Sequence, residues 1–145
     1  ICIGSDIIVG FPGETDEQAE EVLAYCRGFQ FERLGAFAFS PEEGTPAAIM
    51  ENQVPRAVAE ARRDALLAQQ QESSLARNQG LVGQCLLVLA DGAEDQRSFL
   101  GRTVWDAPET DNVVHVRGPR DTMERGLVDV RIERAEAYDL FGTLE

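Results

Sequence analysis

With 145 residues and 15.9 kDa the chain has room for one ordinary domain or two small ones, and a 43% hydrophobic fraction is enough to bury a core, which sets intrinsic disorder aside. Its 26 acidic residues outnumber 13 basic ones, every one an arginine; the formal net charge of −13 repels phosphate backbones and attracts basic partners, although acidic surfaces also serve solubility alone. No apolar run reaches the roughly eighteen residues of a membrane span, no signal-like leader opens the chain, and three widely spaced cysteines with one histidine offer neither a disulfide framework nor a metal site, so a soluble cytoplasmic protein is expected.

The chain opens on isoleucine just before a strand and is read as the C-terminal piece of something longer. Over residues 2–9, the β-branched Ile3, Ile7, Ile8 and Val9 lead straight into Gly10, which predicts a strand buried on both faces. Thr15-Asp16-Glu17-Gln18 has the pattern of a capping box, and Ala19, Val22, Leu23 and Cys26 recur at helical spacing, so a helix follows and ends near Gly28. Strand character returns from Leu34 to Phe39, completing a parallel βαβ pattern. Residues 40–55, with Pro41, Gly44, Pro46 and Pro55, read as a loop. Residues 57–78 hold neither proline nor glycine and are dense in good helix formers; one long helix is predicted, with Gly80 just past its end as the domain boundary. Beyond Gly83, strands are predicted over 85–89, 98–103, 113–116, 127–132 and 137–141, with a turn at Asp91-Gly92. Five short strands in so few residues point to a small OB-like barrel.

Two segments carry candidate chemistry. Gly10-Phe11-Pro12-Gly13-Glu14-Thr15 lies at the C-terminal end of a strand, where α/β folds place their ligands, with free backbone N–H groups expected at the helix start. Good turn chemistry alone would also explain it. Phe39-Ser40-Pro41 ends the next strand at the same face, so the two turns flank one ligand position. The second segment, Asp106-Ala107-Pro108-Glu109-Thr110-Asp111, gathers three carboxylates after Trp105 on the barrel rim: a solvated turn, or a docking surface for a basic protein, with no catalytic residue assigned. His115 reads as a sheet residue and Cys26 as a small buried hydrophobe.

The run Ser5-Asp6-Ile7-Ile8-Val9-Gly10-Phe11-Pro12-Gly13-Glu14-Thr15, Arg33 before the strand ending in Phe39-Ser40-Pro41, then Glu43-Gly44-Thr45-Pro46-Ala47-Ala48, resembles the second half of the barrel of radical S-adenosylmethionine methylthiotransferases. Gln69-Gln70-Gln71 and Gly83 continue the likeness, and the strand-rich end is similar to the TRAM domain that closes these enzymes. Gly101-Arg102-Thr103 with the acidic loop after it, and the ending Ala137-Tyr138-Asp139-Leu140-Phe141-Gly142, resemble the branch that modifies an aspartate of small-subunit ribosomal protein S12 rather than the branch that modifies transfer RNA.

The resemblance implies a partial (β/α) barrel remnant over residues 1–79 and a five-stranded TRAM barrel over 80–145. It implies methylthiolation of an aspartyl β-carbon, with S-adenosylmethionine and two 4Fe-4S clusters as cofactors of the full-length enzyme. The cluster-binding cysteine motif is not in this sequence, and Cys2, Cys26 and Cys85 do not match it, so the chain alone is expected to be inactive and to hold no metal. Adenosine contacts are expected at Ile8, Val9, Gly10, Phe39 and Ser40. The basic ribosomal protein S12 is expected to dock on Arg102, Trp105, Asp106, Glu109 and Asp111, an acidic barrel suiting a cationic client. A transfer-RNA methylthiotransferase and a non-catalytic acidic binding module are the competing readings. One departure from the family is Gly126-Leu127, where a Gly-Asp pair usually precedes the fourth barrel strand.

Overall fold

A computed structural model describes residues 2–107, 112–119 and 126–145. It divides into two compact units, Cys2–Ser73 and Ser74–Glu145. No helix among the described residues is long and apolar enough to cross a membrane.

In the first unit, β1 (Gly4–Val9) and β2 (Arg33–Ala38) pair in parallel, in register from Gly4↔Arg33 to Val9↔Ala38. They are joined by α1 (Asp16–Phe29), the crossover that parallel pairing requires. Thr15 caps α1 as the sequence predicts: its Oγ1 accepts the Gln18 N–H at 3.3 Å while Gln18 Oε1 accepts the Thr15 N–H at 3.1 Å. The helix runs through Gly28 rather than stopping there, and Gln30, at φ 57°, supplies the left-handed cap with its N–H on the Cys26 carbonyl. A 3-10 turn, Pro46–Ile49, interrupts the predicted loop before α2 (Arg56–Gln79). Val9, Cys26, Ala36 and Leu66 form the core of this unit, so α1 and α2 cover the same side of the sheet. The expectation of a strand buried on both faces is corrected: Ile8 and Phe37, register partners on the other side, are 60% and 54% exposed.

The second unit is a closed barrel of β3 (Cys85–Ala93), β4 (Ser98–Thr103), β5 (Val113–Arg117), β6 (Leu127–Ala135) and β7 (Asp139–Leu144) in the order β3-β4-β5-β7-β6. All neighbours are antiparallel except β5 and β7, because the last strand inserts between the third and fourth. This Greek-key closure leaves no edge strand, as the OB-like prediction required. Alternate residues point inward: Val88, Phe99, Val114, Val116, Val128, Val130, Ile132 and Leu140 fill the interior. Where strands cross most closely no side chain fits, and a Cβ on Gly142 would meet the Arg131 carbonyl oxygen at 2.4 Å and Val130 Cγ1 at 2.7 Å. The predicted turn at Asp91-Gly92 is instead a bulge within β3, and the chain reverses over residues 94–97, where Asp95 Oδ1 accepts the Arg97 N–H at 2.6 Å. Gly126, at φ +75°, leads into the nine-residue β6, which Leu127 opens. The last two turns of α2 belong to this unit. Buried Ser74 and Asn78 donate to the carbonyls of Glu136 and Ala137 at 2.5–3.1 Å, so the two units divide six residues before the helix end that the sequence suggests as the boundary.

Candidate functional site

Gly10 and Gly13 hold φ of +78° and +86°, conformations that favour glycine, and they turn the chain sharply from β1 into α1. Gly10 has a second constraint, since a Cβ there would lie 2.3 Å from the Cβ of buried Ala59 on α2. Four of the N–H groups of this turn are engaged. Gly10 donates to Glu14 Oε1, Gly13 to the Asn52 carbonyl and Glu14 to the Phe11 carbonyl, each at 2.9 Å, and Thr15 is taken by the capping box. These four groups are bonded within the chain at this corner. Arg62 of α2 completes it, with Nη1 2.6 Å from Glu14 Oε1 and Nη2 2.5 Å from Asp16 Oδ1. Asp16 and then Glu14 hold its guanidinium firmly protonated against the opposing effect of burial.

The end of β2 lies beside this corner through the parallel register, and the Phe39 N–H donates to the Val9 carbonyl at 2.8 Å. Phe39 meets Phe11 edge to face at 5.3 Å. The five residues expected near adenosine, Ile8, Val9, Gly10, Phe39 and Ser40, thus stand together at one end of the sheet. Their accessible surface differs: Val9 and Gly10 are buried, Phe39 is half-buried, and Ile8 and Ser40 are exposed. A recess of about 580 Å³ runs along the strand end, lined by Phe37, Phe39, Ser40, Gln53, Arg56 and Arg63 among others. Ile8 and Phe37, register partners, leave an apolar patch exposed on this face of the sheet. Phe37 was legible as the alternate partner of Phe39; Arg62 was not, since nothing local distinguishes it from its neighbours on α2.

On the barrel, Arg102 lies on β4 with its guanidinium 3.2 Å from Asp91 Oδ1. Asp106 Oδ2 accepts the Thr103 hydroxyl at 2.5 Å and the Thr103 N–H at 3.2 Å, while the N–H of half-buried Trp105 donates to Thr103 Oγ1 at 3.2 Å. Arg102, Trp105 and Asp106 are brought together at the strand end, and Asp106 locks the turn there; Glu109 and Asp111 lie outside the described residues. His115 faces outward on β5, stacked on Phe141 at 4.7 Å, with Nδ1 2.9 Å from Glu94 Oε1. Three more barrel arginines are matched with carboxylates: Arg117 with Glu133 at 3.5 Å, Arg131 with Glu145 and Arg134 with Glu136. Cys2, Cys26 and Cys85 are free thiols, and burial pushes that of Cys26 up. Among the described residues no group of three or more His, Cys, Asp or Glu side chains is placed to hold a metal ion.

Residues 82–144 match the family model described as the TRAM domain. Over 142 residues the chain is 43% identical to the ribosomal protein uS12 methylthiotransferase RimO of Desulfitobacterium hafniense (strain Y51), covering 98% of this chain and 32% of that relative. The protein of the same name from Synechococcus sp. (strain JA-3-3Ab) is 46% identical over 95% of this chain and 30% of its own length. That from Vibrio vulnificus (strain CMCP6) is 40% identical over 99% and 30%. The chain spans about a third of the length of the curated relatives it matches. The likeness takes in both the glycine corner and the barrel: residues 82–144 match the TRAM domain, and nearly the whole chain is similar to about a third of the length of these ribosomal protein uS12 methylthiotransferases.

Proposed function

We propose that this chain works within a longer bacterial enzyme that methylthiolates the β-carbon of an aspartate in ribosomal protein S12. The observation that carries this reading is the 40–46% identity to proteins of that name over nearly the whole chain, both units included. S-adenosylmethionine and iron–sulfur clusters supply the radical and methyl-transfer chemistry, the clusters being held by residues outside this chain. The part played by these residues is orientation. Ile8, Phe37 and Phe39 give the adenosine end of S-adenosylmethionine an apolar wall, and the corner at Gly10 sets the strand end beside it.

The barrel holds the protein substrate. Residues 82–144 carry twelve carboxylates against seven arginines, and Arg102, Arg117, Arg131 and Arg134 each stand against a carboxylate. Phosphate recognition needs cationic groups free to displace counterions, so this pattern favours a cationic protein over transfer RNA. The test uses the full-length, cluster-loaded enzyme with S-adenosylmethionine and either client. Mass spectrometry is expected to find one methylthio group on an S12 aspartate and none on transfer RNA. Modified RNA with unmodified S12 would transfer the assignment to the RNA branch.

A further inference from the structure

Arg62 lies in the second turn of α2, yet its charged end belongs to the corner after β1. Its side chain is 12% exposed and that of Glu14 14%. Besides its two ion pairs, Nη1 lies 3.4 Å from the Glu14 carbonyl oxygen. The Glu14 Oε1 that receives Arg62 also accepts the N–H of Gly10. One carboxylate oxygen therefore ties α2 to the residue that follows β1, while Ala59, one turn earlier on the same helix, leaves no room for a side chain at Gly10.

A nearly buried ion pair adds little stability compared with apolar side chains of the same volume, so its presence at the end of a strand calls for another reason. Gly10 and Gly13 make the corner sharp and also leave it free to sample other conformations. A fixed guanidinium fork removes that freedom, and a site whose backbone is already ordered loses less entropy on binding. We propose that Arg62 is a positioning residue: acting through Glu14, it fixes the backbone at Gly10 and so holds the Ile8–Val9 strand end ready for the adenosine end of S-adenosylmethionine. The proposal rests on the methylthiotransferase reading above.

The test compares Arg62→Met, Arg62→Lys and Glu14→Gln in the full-length, cluster-loaded enzyme; Glu14→Gln keeps an acceptor for the Gly10 N–H. Amide exchange over residues 6–16 and S-adenosylmethionine affinity by equilibrium dialysis are the primary readouts. For Arg62→Met, exchange is expected to quicken and affinity to fall, each by about tenfold or more, as for loss of a charge-assisted hydrogen bond. KM for S-adenosylmethionine should rise while kcat stays within about twofold, the signature of lost ground-state binding. Arg62→Lys should restore most of the affinity, and Glu14→Gln should fall between. If Arg62→Met does not fold, the other two variants carry the comparison. Unchanged exchange in the folded variants overturns the clamp, and faster exchange with unchanged affinity reduces it to a structural contact. A wild-type enzyme that does not bind S-adenosylmethionine overturns the underlying methylthiotransferase reading, and the positioning role with it.

Discussion

Gly10 carries two separate demands, a positive φ and the absence of a side chain against Ala59. Gly10→Ala meets both, adding left-handed strain and a methyl where backbone and helix already touch. The expected loss is about 2–4 kcal/mol, read as a lower urea midpoint with unchanged slope. Gly13→Ala, with open space around the added Cβ, should lose only the strain portion. On the barrel, the Arg97 N–H followed by Ser98 holds the Asp95 carboxyl below the usual carboxylate range. A depressed folded-state value means that this contribution to stability is complete above the unfolded pKa and is lost as pH falls through the folded one. An NMR titration should find the Asp95 midpoint below the ordinary aspartate value, and an ordinary midpoint would contradict the hydrogen bond.

Elements repeat this division between local and distant causes. Capping, helix length and strand alternation follow from neighbours in sequence, and α1, α2 and the barrel strands begin within a few residues of the predicted positions. Some ends moved: α1 passes through Gly28 to a local cap at Gln30, while β3 continues through Asp91-Gly92 as a bulge paired with β4 and the last turns of α2 attach to the loop before β7, both of which are tertiary effects. Buried Asn78 makes that attachment with two carbonyl contacts. Asn78→Ala would remove the amide donor to the Glu136 carbonyl and leave that of Ala137 to the Ser74 hydroxyl, so the barrel should lose about 0.5–1.5 kcal/mol, checked by the melting of the full chain followed at Trp105. A shift no larger than that of Gln79→Ala, an exposed neighbour, would show that the contact is incidental.

For the molecule as a whole, charge is the property on which the proposed choice of client rests. The excess of carboxylates belongs to both units, while Arg102, Arg117, Arg131 and Arg134 are locally matched, and the proposed docking of a cationic client rests on that balance. Reversing Glu109 and Asp111 to arginine together in the full-length enzyme should weaken S12 binding at low salt and leave little difference near 1 M, where the Debye length is about 3 Å. Equal affinity at low salt would move the docking surface elsewhere. The five barrel strands, the glycine corner and the acidic character were determined by the sequence alone, because each depends on residue type and short-range periodicity, and the likeness to a known family rested on whole motifs. Only the tertiary structure decided that four N–H groups of the corner are already used, that one face of the β1–β2 sheet is open at Ile8 and Phe37, and that Arg62 reaches back to Glu14. Those outcomes join residues up to 48 positions apart, and no local pattern encodes which distant atom will satisfy a given donor.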